Sequence, residues 1–490
     1  MMGSSLVKGK MHKQLWVLAM VLSIGFSPKV VAADERSDEI NALKKQIQEL
    51  SDKVQALEHK EPPTTNSLGT RNAEASAGKG TPRVFAGAEG FGFVSADTNF
   101  SLTLKASVQA DGRFYVGDHI PANDTFLLRR VRPTFEGTVF KNFDYRIMLD
   151  FGANTSSSSG NVNNNGMLQE AYLNFHYWPE FQIQAGKFKP PVGLERLQSD
   201  VNYLFVERGY PTQLVPNRDV GIQIQGDLWH GFVSYQAGVF NGTQDNGQND
   251  IDSGVDDHKD VAARVFLQPF INTEIQPLRG LGFGVAGTYG DQNGALRSYV
   301  TPGQQTFFSY RTGTGNTFTN VSAGGEHWRL VPQAYYYWGP FGMFGEYAIS
   351  SQNVRRDVKT STTSSKQIVR ARNTAWQVAG SYVLTGEQNS WRGVRPRNPF
   401  NLSEGALGAW ELVGRVGSLH MDSDLFPLFA TSASGRREFS WGTGVNWYVN
   451  RNIKLSCDYE RTAFTGGSRT AGSVTARPEQ IIFTRAQIAF

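Results

Sequence analysis

The run TFEGTVFKNFDYRIMLDF, Thr134 to Phe151, decides the fold. Phe143, Tyr145, Ile147, Leu149 and Phe151 alternate with Asn142, Asp144, Arg146, Met148 and Asp150. A period of two places the first set on one face of a β-strand and the second set on the other. Phe135 and Val139 stand opposite Thr134 and Glu136 in the same way. Only Lys141-Asn142 parts the two runs, so the stretch reads as a hairpin with one apolar side and one charged side.

The pattern repeats outward from there. Phe100, Leu102, Leu104, Ala106 and Val108 alternate with Ser101, Thr103, Lys105, Ser107 and Gln109. Val220, Ile222 and Ile224 alternate with Gly221, Gln223 and Gln225, and Ile453, Leu455, Cys457 and Tyr459 with Asn452, Lys454, Ser456 and Asp458. About sixteen such segments are predicted, at 99–113, 125–140, 142–151, 167–178, 180–188, 219–229, 231–240, 261–268, 280–290, 327–338, 340–349, 374–384, 409–420, 437–449, 451–461 and 479–490. A soluble sandwich alternates as well. It has no need of so many segments near ten residues, the length that crosses a bilayer at a tilt.

The connections also alternate in kind. Several that follow even-numbered segments are very short, as at Lys141-Asn142, Trp178-Pro179-Glu180, Trp229-His230-Gly231, Trp338-Gly339-Pro340 and Val449-Asn450-Arg451. Those after odd-numbered segments are longer, polar and rich in Gly, Asn, Ser and Thr. Tyr177 and Trp178, Trp229, Tyr337 and Trp338, and Trp447 and Tyr448 all stand at short turns, where amphipathic rings settle among lipid headgroups. Short turns at one end, long loops at the other and a girdle of aromatics mark an outer-membrane barrel. Phe490 ends a last strand with Ile482, Thr484, Ala486 and Ile488 on one face, which fits the recognition signal of the barrel-assembly machinery. The expected fold is all-β: a 16-stranded antiparallel transmembrane β-barrel over residues 86–490, preceded by an α-helical coiled-coil segment.

Composition agrees. Of 490 residues only 39% are hydrophobic and the mean hydropathy is −0.37, which excludes a bundle of membrane-spanning helices. Lys plus Arg exceeds Asp plus Glu by 48 to 44, but Lys8, Lys10, Lys13 and Lys29 lie in a leader that holds no acid. The remainder is balanced, which argues against a nucleic-acid partner. Cys457 is the only cysteine, so intrachain disulfides and thiolate metal sites are excluded, and no cofactor is expected.

Residues 1–33 read as a signal peptide: Lys8, Lys10 and Lys13, an apolar run from Leu15 to Phe26, and Val31-Ala32-Ala33 before Asp34. Over residues 34–60, Ile40, Leu43, Ile47, Leu50, Val54 and Leu57 follow a 3-4-3-4-3 spacing, the seam of a coiled coil on the periplasmic side. An amphipathic helix packed on its own domain is the alternative. Residues 61–85, with Pro62-Pro63 and many Ser, Thr, Gly and Ala, form a flexible linker.

Four segments carry a resemblance. Phe126–Phe140 with Arg129-Arg130-Val131-Arg132, Gln184–Glu195 (QAGKFKPPVGLE), Gly408–Arg415 and Asn446–Lys454 resemble, in order, motifs of the phosphate-selective porin O and P family. The likeness covers most of residues 85–490. It implies a homotrimer of sixteen-stranded barrels, each with an anion-preferring pore for phosphate, polyphosphate or similar small anions. The motif at Gln184 resembles the family's entry into an inward-folding third loop.

Parity sends Arg130, Arg132, Arg146, Arg264, Arg329, Arg415, Arg485, Lys105, Lys187 and Lys454 into the lumen. Glu136, Asp144, Asp150, Glu170, Asp227, Glu346, Glu411 and Asp458 face them, so any anion preference must come from clustering. The expected anion site is Arg130 and Arg132, with Lys187 and Arg218 beside them and Arg146, Arg196 and Arg208 near. Arg129 has lipid-facing parity and must sit at a rim, a subunit interface or a strand irregularity. Residues 189–218 are expected to fold into the barrel as a constriction, or else outward. Residues 351–372, with Arg355, Arg356, Lys359, Lys366, Arg370 and Arg372, are expected to be a loop that attracts anions, binds lipopolysaccharide phosphates or is simply solvated.

No catalytic motif stands out, and Asp256, Asp257 and His258 read as a solvated loop tip. The reading is therefore an outer-membrane porin, not an enzyme. Its rivals are a sugar porin, with Tyr335 and Tyr337 starting an aromatic track, and a barrel that tethers the outer membrane to the cell wall. Deletion of residues 34–60 should leave a folded barrel, seen as heat-resistant oligomers on a gel. Recovery of unfolded chain alone would mean that the barrel needs the helix.

Overall fold

The computed structural model describes Lys45 and residues 81–117, 122–152, 167–248, 257–467 and 477–490. The expected signal peptide, the heptad seam and most of the linker lie outside the described residues, as does Asp256.

A hairpin of β1 (Arg83–Gly87) and β2 (Gly90–Val94) precedes the wall. The wall begins with β3 (Ser101–Tyr115), β4 (Thr125–Val139), β5 (Phe143–Asp150), β6 (Met167–Trp178), β7 (Phe181–Phe188) and β8 (Asp219–Leu228). It continues with β9 (Val233–Phe240), β10 (Asp260–Leu267) and β11 (Leu281–Ala295). A two-stranded loop hairpin, β12 (Tyr299–Val300) and β13 (Thr306–Phe308), interrupts it. Then come β14 (Phe318–Trp338), β15 (Phe341–Lys359), β16 (Ser364–Val383), β17 (Ala409–His420), β18 (Gly435–Tyr448), β19 (Ile453–Gly467) and β20 (Glu479–Ala489). Among the described residues, sixteen of these strands pair antiparallel in a ring, each with its sequence neighbour, and β20 closes on β3. All sixteen predicted segments are present.

The faces sort as the period of two requires. Leu330, Val378 and Leu412 are more than 40% exposed on the outside, a load of bare apolar surface that only hydrocarbon accommodates. Trp178, Trp229 and Trp338 stand exposed at short turns, and Trp410 stacks on Trp447 there. Tyr448 departs from the expected girdle. It points inward and donates to Glu411 Oε2 at 2.8 Å, because its place on β18 gives it lumen parity.

Of the four register shifts in the wall, two lie beside the loop-facing charges. Between β3 and β4 the register jumps from Gln109↔Arg130 to Ala110↔Leu128, which leaves Arg129 as the extra residue. Between β5 and β6 it jumps from Met148↔Glu170 to Leu149↔Leu168, which leaves Gln169. Each bulge turns two successive side chains inward.

The expected loop 351–372 is corrected. β15 and β16 pair without interruption from Phe341↔Tyr382 to Lys359↔Ser364, and Thr360 to Thr363 make the turn. The hairpin continues beyond the membrane because each strand satisfies the other's backbone. At the long-loop end the mouth is packed with apolar side chains. Val192, Tyr210, Leu214 and Val215 meet Tyr299, Phe307 and Phe308 from the connection after β11, and Leu425 and Phe429 from the connection after β17.

The seam of the ring is locked by one buried pair. Arg485 on β20 lies directly opposite Asp111 on β3, with Nε–Oδ1 and Nη2–Oδ2 distances of 2.7 Å each. Neither side chain is more than 2% exposed. Arg485→Met should therefore cost about 3–5 kcal/mol, because it leaves a buried carboxylate unpaired. Adding Asp111→Leu should restore most of it. Urea unfolding in detergent reads both, and an unchanged midpoint in the single variant would show a wet, screened seam.

Candidate functional site

The site is built by the connection 189–218 between β7 and β8. Pro190 and Pro191 stop the strand, since neither can donate to a ladder. Gly193 then turns the chain at φ 83°, into a helical turn at Leu194–Leu197 and 3-10 turns at Asp200–Asn202 and Tyr210–Gln213. The segment folds into the lumen. Leu194, Leu204 and Phe205 bury against Phe266, Phe344, Ala379 and Val413 of the wall, and Val206 against Ile481 and Phe483.

A chain inside a barrel has no ladder of its own, so wall side chains must satisfy its backbone. Glu346 accepts from the N–H groups of Leu194 at 2.7 Å and Glu195 at 3.2 Å. Asp458 accepts from Val206 N–H at 2.6 Å. Asn446 donates to the Leu204 carbonyl at 2.9 Å, Lys454 to Tyr203 at 2.9 Å, Arg415 to Glu207 at 2.8 Å and Gln109 to Asp200 at 3.2 Å. Residues of β3, β15, β17, β18 and β19 thus hold a loop that springs from β7.

Charge clamps complete the attachment. Asp200 Oδ2 lies 3.1 Å from Arg132 Nη1 and 3.5 Å from Arg130 Nε, and Arg132 also binds Asp150 at 2.7 Å. Glu207 takes Arg129 at 2.5 Å and Arg113 at 3.1 Å. Burial by itself would raise both loop carboxyls. Arg132 and Arg130 hold Asp200, and Arg129 holds Glu207, well below the usual carboxylate range. Tyr203 carries Arg208 over its ring at 4.5 Å and Arg130 at 5.8 Å. Across the lumen Glu170 binds Arg218 at 2.9 Å and Arg146 at 3.3 Å, and Arg146 reaches Glu136 at 3.5 Å.

The loop leaves two cavities that meet. A vestibule of about 650 Å³ lies toward the short-turn end, and a chamber of about 320 Å³ lies beyond it. Arg146, Met148, Ser199 and Asp200 line both and stand between them. The vestibule carries six cationic side chains against three carboxylates, and the chamber three against two.

The expected residues divide by what they touch. Arg129, Arg130 and Arg132 come together on the loop acids, with Arg129 brought inward by the bulge. Arg146 and Arg218 meet on Glu170 and line the chamber. Lys187 donates to the Leu168 carbonyl at 2.5 Å. Arg196 is buried within the loop's own fold, on the Thr212 carbonyl and on Asn246 at 2.6 Å, away from both cavities. Arg208 lines neither cavity.

Two features were not anticipated. Lys189 lines the chamber, makes no salt bridge among the described residues and donates to the Gln198 carbonyl at 2.9 Å. Its place directly after the last strand residue was the available signal. Arg392 and Arg395 of the long connection after β16 enter the vestibule, and nothing in their local pattern shows it. Among the described residues no His, Cys, Asp and Glu form a group that could hold a metal ion.

The family model of phosphate-selective porin O and P matches residues 102–490. Porin O of Pseudomonas aeruginosa is 25% identical over 403 residues, covering 76% of this chain and 84% of that protein. Among solved structures, the outer membrane channel DcaP of Acinetobacter baumannii covers 81% of this chain and 99% of its own at 11% identity, with a TM-score of 0.48. OprB of Pseudomonas putida covers 80% of this chain and 95% of its own at 12% identity, with a TM-score of 0.46. Likeness at that level adds nothing to the ring of strands itself.

The clamp geometry changes what removal of its arginines should do. Arg130→Ala with Arg132→Ala strands Asp200, so the loop should loosen, single-channel conductance should rise and anion preference should fall. A planar bilayer under a salt gradient reads both. Unchanged conductance would show that the apolar anchors alone hold the loop.

Proposed function

This chain belongs to the phosphate-selective porin O and P family, and we propose that its solute passes from vestibule to chamber through a neck at Arg146 and Asp200. It is a porin of the bacterial outer membrane. The observation that carries the proposed path is that two cavities, each richer in cations than in carboxylates, adjoin at four residues shared by wall and loop. The solutes it suits are small multivalent anions of the phosphate or polyphosphate class. Planar guanidinium groups match phosphate oxygens with two donors each.

Most of the arginines already hold a carboxylate, which keeps binding weak enough for the anion to leave, as conduction requires. Lys189 is the exception. Burial and the nearby Arg218 push its ammonium well below the usual lysine range, and an arriving anion favours its charged form. Lys189 is thus the chamber's principal anion contact, with Arg146 and Arg218 beside it.

The sugar reading is weaker. Tyr335 stacks on Trp391 at 5.8 Å and packs against Phe266 and Tyr337, so its ring faces are taken. A cation-lined path likewise favours a channel over an inert tether or an enzyme. We further read residues 1–33 as the export signal, residues 34–60 as a periplasmic coiled coil, and the assembly as a homotrimer inserted by the barrel-assembly machinery.

Lys189→Gln should weaken block of chloride current by phosphate roughly tenfold, the worth of one charge-assisted hydrogen bond at about 1.5 kcal/mol. The reversal potential should move toward cations. Lys454, which lines the vestibule and not the chamber, should show a smaller effect on block when changed to Gln. Equal block in wild type and Lys189→Gln would remove the lysine from the path.

A further inference from the structure

On the outside of the wall, at the long-loop end, β15 to β19 leave a groove of about 370 Å³. Tyr347 and Trp376 bound it on the membrane side, and His420, Arg436 and Arg437 on the other. The register gathers all of them except Arg436, which enters the groove beside Arg437. Trp376 lies opposite both Tyr347 and Ser418, Thr374 opposite His420, and His420 opposite Arg437. The neighbours that point the other way, Ala375, Gln377, Leu419 and Glu438, are buried in the interior. The groove therefore faces whatever surrounds the barrel, not the lumen.

Its height can be worked out. Arg437 stands eleven residues up β18 from Tyr448, the short-turn end. At about 3.4 Å per residue and a tilt near 40°, that is roughly 28 Å above the periplasmic girdle. The apolar band of such a barrel is about 25 Å tall. Arg437 thus lies just beyond the hydrocarbon, among the headgroups of the outer leaflet, while Phe439, Trp441 and Val416 descend below it as exposed apolar surface.

The guanidinium charge there is not tied up in ion pairs. Arg436 and Arg437 make no salt bridge among the described residues, and Arg437 Nε donates to Ser418 Oγ at 3.3 Å. The adjacent acid, Asp422, is occupied: its oxygens accept from the backbone N–H groups of Arg372 at 2.7 Å and Asp424 at 3.0 Å. Arg372, two residues from Thr374 on the same outward face, lies over Trp328 at 5.7 Å. Guanidinium groups at headgroup depth, with an aromatic floor and an apolar wall beneath, complement an anionic amphiphile: phosphate to the paired donors, sugar on the rings, acyl chains down the strands.

We propose that this groove binds a phosphorylated glycolipid of the outer leaflet, of the lipid A class, with Arg436 and Arg437 on its phosphate and His420 and Trp376 beside its sugar. The site is separate from the conducting path and uses only the barrel's place in the outer membrane. The test is native mass spectrometry of the full-length porin, delipidated in detergent and titrated with diphosphoryl lipid A. The wild type should retain the lipid. Arg436→Gln with Arg437→Gln should lower the apparent affinity roughly tenfold or more, as expected for two cations at a membrane surface. Phosphatase-treated lipid A should lose the same amount on the wild type, and inorganic phosphate at equal concentration should not compete. Single-channel conductance equal to that of the wild type shows that the double variant is folded, and Arg437→Gln alone gives a second, smaller loss. Equal retention by both variants would place the lipid elsewhere. Equal retention of the phosphate-free lipid would reduce the groove to an apolar surface, and competition by free phosphate would make it a simple anion site.

Discussion

In hydrocarbon no water is present to satisfy a backbone N–H or carbonyl, so each strand in the wall must be paired on both edges. The whole molecule follows from that requirement. It forces β20 to find β3 across nearly the full length of the chain, and it places a buried Arg485–Asp111 pair at the closing seam. It also sets the two-sided character of every strand, since one face meets lipid and the other meets the lumen. The same demand recurs inside. The loop 189–218 has no sheet to join, and the wall presents Glu346, Asp458, Asn446, Lys454 and Arg415 to its backbone in place of a ladder.

This explains why so much interior charge does not act on solutes. A porin lumen lined with arginine would bind anions too tightly to release them. Here Arg129, Arg130 and Arg132 are spent on Asp200 and Glu207, and Arg218 is shared with Glu170. The clamp fixes the position of the loop, and with it Ser199 and Asp200 in the lining that the two cavities share. The cationic side chains that the clamp does not consume include Lys189, which lines the chamber and makes no salt bridge among the described residues. Structural and conducting charges are interleaved on the same few strands, so substitution of one kind disturbs the other.

The bulges show how a small local change redirects function. One extra residue in β4 sends Arg129 to Glu207 when strict alternation would have sent it into lipid. An arginine in lipid at that depth would be costly. The irregularity, not the strand pattern, makes the second loop clamp possible. Further out, the continued pairing of β15 with β16 carries the wall past the membrane and puts Arg372 on a rigid, outward face.

The architecture was legible in the sequence because lipid and water sort side chains residue by residue, and a period of two survives in the text. The sixteen strands, their lumen-facing charges and the turn-end tryptophans followed from that period and from connection length, and the inward course of the Pro190-Pro191 loop was what the family resemblance implied. What was not legible depends on closure. Asp200 meets Arg130 and Arg132 from a loop some seventy residues away, Glu207 selects Arg129 through a bulge that was one of three places its parity allowed, and Arg392 enters the vestibule from the long connection after β16. Each of these pairings spans the lumen, and only when the ring has closed do its two sides come within reach of one another. The chain by itself therefore determined which face each side chain takes. The tertiary structure decided which charges neutralise one another and which remain for a passing anion.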